Sequence, residues 1–258
     1  MASSLITGAS NGIGLALAHE FAAQGHDLIL VARNNERLQT EVQKLHTQHG
    51  REVIGFAADL SEPGAAAELF RKITDQGHAV SHLINNAGFA SYGPFHQISI
   101  TEQLNMIDLN IRSLTELSHR FIPMLLQHPE SRLVNVASTA AFFPGPLMAV
   151  YYATKAYVLS FSEALAEEYR TTSLAVCALC PGPTKTGFQD RAQMTKSRLM
   201  NGQFMTSEEV ARIAYSGIIH GETVIIPGHT NRLMSNLPRF LPRNMITRIV
   251  AGAQEPNY

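Results

Sequence analysis

Apolar residues follow two rhythms along this chain. Short continuous runs alternate with stretches in which apolar residues return every third or fourth position. The runs Ser4–Ile6, Asp27–Ala32, Glu52–Ala57, Val80–Ile84, Ser131–Ala137, Ser173–Cys180 and Thr223–Ile226 read as buried strands. Helical patterns fall between them. One starts just past Gly14, with Leu15, Leu17 and Phe21 apolar and Gly25 as its stop. A second runs from Glu36 to His49 with Leu38, Val42 and Leu45 on one face, and a third from about Pro63 to Gln76. A long region from about Thr101 to Gln127 carries Met106, Leu109 and Leu114, and Pro123 predicts a kink or break within it. Two more helices cover Val150–Tyr169 and a segment ending near Ile219, the latter capped by Thr206-Ser207-Glu208-Glu209. The tail from Pro227 holds Leu233, Met234, Leu237, Phe240, Leu241 and Ile246 in no clear period. Strict alternation of strand and helix, with no internal repeat and no linker, predicts one α/β domain over 1–258. Its core is a doubly wound parallel sheet of about seven strands flanked by helices.

Composition narrows the function classes. At 45% hydrophobic and 16% charged residues, the chain has ample material for a core. A net charge of −1 offers no electrostatic footprint for nucleic acid or an anionic membrane. The longest apolar runs are of strand length, so no membrane span is expected. Leu5-Ile6 leads directly into a glycine turn with no signal peptide before it, and a cytoplasmic protein is expected. Cys177 and Cys180 sit three apart in a strand, where they point to opposite faces and neither bridge nor chelate. No second Cys pair and no spaced His pair completes a metal site; the eleven histidines are scattered, and no metal is expected.

Candidate chemistry gathers at the strand ends. Thr7-Gly8-Ala9-Ser10-Asn11-Gly12-Ile13-Gly14 lies between a strand and a helix, where glycines permit a tight turn and close approach of a ligand. Amides at that helix start, helped by the dipole, suit a pyrophosphate held by Gly8, Ser10, Asn11, Gly12, Ile13 and Gly14. The next strand ends in Ala32-Arg33, with Arg37 one turn on, in place of the acid that would hold a free ribose. Charge complementarity there favours NADP(H) over NAD(H). Asp59, followed by Leu60, ends a third strand and either accepts the adenine amino group or caps the coming helix. Asn85-Asn86-Ala87-Gly88 forms a turn open to close approach. Asn110 lies amid an apolar face and requires a partner. In Tyr151-Tyr152-Ala153-Thr154-Lys155, helix spacing puts Lys155 one turn from both tyrosines, and an ammonium beside a phenol favours the phenolate.

Together these residues resemble the short-chain dehydrogenase/reductase family of nicotinamide-dependent oxidoreductases, a Rossmann-fold group, from Leu5 to about Gly228. Thr7–Gly14 is similar to its cofactor glycine motif, Asp59 to its adenine-contacting acid, and Asn85–Gly88 to its Asn-Asn-Ala-Gly turn. Asn110, Ser138, Tyr151 and Lys155 fall where its catalytic tetrad belongs. Pro181, Gly182, Thr184 and Thr186 resemble the segment that holds the nicotinamide carboxamide. The family spacing of Tyr, three residues and Lys, with a small residue and Ser/Thr before the Lys, selects Tyr151 over Tyr152. The resemblance implies an NADP(H)-dependent carbonyl reductase or alcohol dehydrogenase. In that scheme Tyr151 is the general acid/base and Ser138 orients the carbonyl oxygen. Lys155 lowers the Tyr151 pKa and bonds the nicotinamide ribose, and Asn110 supports a water chain. It also implies a substrate loop at about 187–206, read together with 140–150 and the tail 227–258. Phe142, Phe143 and Phe188 suggest an apolar small-molecule carbonyl or alcohol. A homodimer or homotetramer is implied, paired through the helices at Thr101–Gln127 and Val150–Tyr169 with their stripe Tyr157, Phe161 and Leu165. The rival is a non-catalytic NADP(H)-binding sensor or scaffold. Members of that kind typically lose the Tyr or Lys, which this chain keeps.

Overall fold

Leu5 and Ile6 of β1 (Ser3–Thr7) are fully buried on opposite faces, and the rest of the fold is laid on either side of that strand. The computed structural model describes residues 2–186 and 204–255. In chain order, α1 (Gly12–Ala23), β2 (Leu28–Ala32), α2 (Asn35–His49), β3 (Val53–Ala57) and α3 (Ala65–Asp75) follow β1. Next come β4 (Val80–Asn85), α4 (Ile100–Ile107), a π-turn at Asp108–Ser113, α5 (Leu114–Leu125) and β5 (Ser131–Val136). A 3₁₀ turn at Thr139–Phe142 leads to α6 (Ala149–Glu168), β6 (Leu174–Leu179) and β7 (Thr184–Lys185). After β8 (Met205–Thr206) come α7 (Ser207–Ile219), β9 (Val224–Ile225), α8 (His229–Asn236), a 3₁₀ turn at Leu237–Arg239 and α9 (Arg243–Gln254).

Seven of these strands form one parallel sheet in the order β3-β2-β1-β4-β5-β6-β9. Both faces are covered, which is why the strands read as continuous apolar runs rather than alternating ones. Ile6, Leu28 and Leu30 pack with Leu17 and Phe21 of α1, Leu38 and Leu45 of α2, and Ala214 and Ile218 of α7. Leu5, Ile29 and Val31 pack on the other side with Leu69 and Ile73 of α3, Leu117 and Phe121 of α5, and Tyr151 of α6. Cys177 and Cys180 belong to different apolar clusters, and burial pushes both thiols up to about 12.

Three details depart from the sequence reading. Pro123 sits in the last turn of α5 without breaking it. Both Pro123 and His119, whose carbonyl its missing amide would have reached, are exposed, so the lost bond falls at the surface rather than in the core. The irregular turn lies instead at Asp108–Ser113, around Asn110. The tail is helical: Pro238 and Pro242 interrupt its period, but Ile246, Val250 and Ala253 recur at i, i+4 and i+7 within α9. α3 starts at Ala65 rather than Pro63, after Gly64 turns the chain at φ 82°. Among the described residues, no helix is long and apolar enough to cross a membrane.

Candidate active site

The carboxyl ends of β1, β4, β5 and β6 open into a cavity of about 630 Å³. It lies where the strand order reverses between β1 and β4, the position at which such sheets bind ligands. Its floor is the glycine turn. Gly8 has φ 66°, and a Cβ on Gly14 would lie 2.4 Å from both the Gly8 carbonyl oxygen and Asn86 Nδ2. Asn86 locks this contact by donating to the Thr7 carbonyl at 2.8 Å. Thr7 Oγ1 in turn accepts from the amides of Asn86 (3.0 Å) and Ala87 (2.9 Å). The start of α1 has no side-chain cap and no acidic residue in its first turn, and Gly12 and Ile13 line the cavity. Amides and helix dipole there present a site for an anion.

Arg33 and Arg37 form the rim beyond the glycine turn. Asp59 faces them: its Oδ2 lies 3.5 Å from Arg33 Nη1, and its Oδ1 accepts from Ser61 Oγ at 2.6 Å and from the Ser61 amide at 3.0 Å. Partial burial works to raise the Asp59 pKa, but the Ser61 bonds and Arg33 outweigh it and hold the carboxyl below its ordinary range. Asp59 caps no helix, since the N-cap of α3 is Gly64.

Ser138, Tyr151 and Lys155 stand together on the opposite wall. Ser138 begins the 3₁₀ turn that follows β5, its Oγ accepting from the Ala140 amide at 3.1 Å. Leu147 takes φ 64°, a left-handed conformation unusual for a branched residue, and turns the chain into α6. Tyr151 is 8% exposed and shares a hydrogen bond with the Ser138 hydroxyl. Burial raises its pKa well above the ordinary phenol value; the Ser138 bond pulls the other way and is the weaker effect. This corrects the expectation that Lys155 lowers that pKa. The Lys155 ammonium lies 5.8 Å from the centre of the Tyr151 ring and donates to the Val136 carbonyl at 2.7 Å. Burial lowers the Lys155 pKa to about 8.

Every cofactor-site residue expected from the sequence lines this cavity: Gly8, Ser10, Asn11, Gly12, Ile13, Gly14, Arg33, Arg37, Asp59, Leu60, Asn86, Ala87, Gly88, Tyr151, Lys155, Pro181, Gly182, Thr184 and Thr186. Asn110 does not. Its Nδ2 donates to the Phe89 carbonyl (3.0 Å) and Thr154 Oγ1 (3.1 Å), and its Oδ1 accepts from the Phe89 amide (3.2 Å). Asn110 pins the segment after Gly88 to α6 one residue before Lys155. Tyr152 is tied elsewhere, its hydroxyl accepting from Nε2 of the fully buried Gln254. The expected substrate loop, 187–206 with Phe188, lies outside the described residues apart from its last three.

The tail and the 140–150 segment, expected to read the substrate, do line the cavity, although the helical period of the tail was not read from the sequence. Met234, Leu237, Ile246, Ile249, Val250 and Ala253 of the tail line the same cavity as Tyr151, as do Phe143 and Met148. The signal was present in the i, i+4, i+7 spacing of Ile246, Val250 and Ala253, hidden by the prolines just before it.

Residues 3–197 match the family described as short chain dehydrogenase. The oxidoreductase YvrD of Bacillus subtilis is 34% identical over 182 residues, 70% of this chain and 68% of that protein. Human 17-beta-hydroxysteroid dehydrogenase type 3 is 30% identical over 226 residues, 85% of this chain and 69% of its own. Among solved structures, a short-chain dehydrogenase from Sphingobium yanoikuyae in complex with NADPH superposes with a TM-score of 0.82 at 32% identity. The match covers 94% of this chain and 97% of that one.

Proposed function

The chain belongs to the short-chain dehydrogenase family of oxidoreductases, and from that premise we propose that it is an NADP(H)-dependent reductase of apolar ketones or dehydrogenase of the matching secondary alcohols. The observation that carries this reading is the hydrogen-bonded Ser138–Tyr151 pair above the Lys155 ammonium, facing a glycine-floored cavity.

The residues present fit a dinucleotide phosphate. The acid-free start of α1 suits a pyrophosphate, and the paired basic side chains of Arg33 and Arg37 suit a 2′-phosphate. The NADPH complex of the Sphingobium protein supports the same choice. When bound, the cofactor supplies the hydride. Everything else falls to the chain. The Ser138 hydroxyl holds the substrate oxygen against the Tyr151 phenol. Tyr151, kept protonated by burial, donates its proton to that oxygen as alkoxide character develops. Lys155 gives one of its three N–H bonds to Val136 and retains two for ribose hydroxyls. Asn110 keeps α6 in register with the turn after β4. The apolar wall of Met234, Ile246 and Val250 matches a bulky apolar substrate, as the hydroxysteroid relative suggests. Self-association belongs to the same reading: the rings of Tyr157 and Phe161 stack 5.6 Å apart on α6, with Tyr157 exposed, offering a face for a homodimer or homotetramer.

Steady NADPH oxidation with a panel of ketones, 3-oxoacyl thioesters and sterols tests the proposal. Turnover is expected with apolar ketones, and Tyr151→Phe should lower kcat by about 10²–10⁴-fold with NADPH affinity intact. Tight NADPH binding without turnover on any panel member would instead favour the binding-only alternative.

A further inference from the structure

The net charge of −1 conceals a strong asymmetry. From Thr223 to Gln254 the chain carries four arginines and no acidic residue, so the remainder is net acidic. Arg232, Arg239, Arg243 and Arg248 are all exposed, and none forms an ion pair with a described carboxylate. Large apolar side chains crowd the same segment: Phe240 is 81% and Leu233 74% exposed, followed by Met245, Met234 and Ile249. On α9 the pattern has a geometric cause. Ile246, Val250 and Ala253 point into the cavity, while Met245 and Ile249, at i and i+4, form an outward shoulder flanked by Arg248. Met234 and Ile249 are at once exposed and part of the cavity wall, so the outer apolar patch runs continuously into the cavity mouth.

We propose that α8, the Leu237–Arg239 turn and α9 form a docking face for an anionic phospholipid surface, with Phe240 and Leu233 entering the headgroup–acyl boundary and the four arginines pairing with lipid phosphates. Exposed aromatic and aliphatic side chains amid four arginines, with carboxylates only at the two ends of the stretch (Glu222 and Glu255), are the complement of such a surface. The acidic remainder of the protein, repelled by the same lipid, orients the face toward it. A second copy of the chain is a poorer occupant. A two-fold contact through this face would set arginines against arginines with no carboxylate between them. The cavity mouth then opens at the bilayer, and an apolar ketone dissolved there reaches Tyr151 without crossing water. That route rests on the proposed activity; the docking itself does not.

Flotation of the full-length protein with lipid vesicles tests the docking independently of turnover. Binding is expected to vesicles of equal parts phosphatidylcholine and phosphatidylglycerol, weakened by salt, and not to phosphatidylcholine alone. Arg239→Gln with Arg243→Gln should lower the partition coefficient by about fivefold per charge, and Phe240→Ser should lower it as well. None of these side chains lines the cavity, so thermal unfolding and NADPH affinity should be those of the wild type. Equal flotation with both vesicle types, or none with either, overturns the proposal. So does a Phe240→Glu variant that falls to a smaller oligomer by light scattering while the wild type shows no vesicle binding, for the face would then be a contact between copies. Absence of NADPH oxidation would bear on the proposed activity and leave the docking result standing.

Discussion

The Lys155 ammonium donates to the Val136 carbonyl at 2.7 Å, tying the middle of α6 to the last residue of β5. The bond fixes where the cation stands relative to Tyr151, and burial brings its pKa down to about 8. A lowered pKa means the ammonium loses its proton as pH rises through about 8, so any contact needing its charge is present below that value and lost above it. NADPH affinity, measured by fluorescence titration, should therefore fall across pH 8 in the wild type. Lys155→Met should bind more weakly throughout and show no such step.

Tyr152 and Gln254 form the other fixed pair at the site. Tyr152→Phe strands the buried Gln254 Nε2 and should destabilise the protein by about 1–3 kcal/mol. Because α9 carries the apolar wall, KM should rise while kcat stays near wild type, the reverse of Tyr151→Phe. Thermal unfolding beside steady-state kinetics separates the two. A dead Tyr152→Phe beside an active Tyr151→Phe would show the proton donor assigned to the wrong phenol.

Arg33→Asp should invert cofactor preference. Loss of one charge-assisted contact weakens NADPH binding by about 1.5–3 kcal/mol, and the new carboxylate suits a free ribose. The present Arg33–Asp59 pair is half exposed and worth at most about 1 kcal/mol to stability, so unfolding should hardly move. Equal affinities of the wild type for NADH and NADPH would rule out the basic rim as a phosphate site.

Gly14→Ala places a methyl group 2.4 Å from the Gly8 carbonyl oxygen, a backbone atom that cannot rotate away. Overpacking of this kind destabilises by about 1–3 kcal/mol. The glycine turn must open to relieve it, so the melting temperature and NADPH affinity should drop together. A variant that melts and binds like the wild type would show that the turn is not closely packed against α1.

Acid should unfold the protein through His82. Burial is the main cause that lowers its pKa from 6.5 to about 3, with His26, Arg132 and His128 adding repulsion. Below pH 6.5 the unfolded chain takes up a proton that the folded chain refuses until about pH 3, so stability is lost as pH falls through that window. The slope approaches about 1.4 kcal/mol per pH unit, and His26, also lowered by burial, acts in the same direction. Urea unfolding at stepped pH should show a shallower slope for His82→Gln. An unchanged slope would assign the lability to other groups.

The features legible in the sequence depend on neighbours close along the chain. Covered strands show as apolar runs, the Thr7–Gly14 turn shows because glycines and a strand–helix junction lie within a few residues, and Tyr151 to Lys155 is one turn of helix. Steric and periodic rules act over that range, so the sheet and the glycine floor of the cavity are legible in the sequence. Contacts between distant segments were decided only by tertiary structure. Arg33 meets Asp59 across two strand ends, Asn110 fastens Phe89 to Thr154 rather than lining the cavity, and Gln254 holds Tyr152 from the far end of the chain. The Tyr151 pKa belongs to the same class: spacing predicts the pull of a cation, but removal of water from the phenol on folding is the larger effect, and only the packed molecule shows it. The tail completes the pattern. Its prolines break the local period, and α9 becomes a wall of the site because the cavity gives Ile246, Val250 and Ala253 an apolar surface to face.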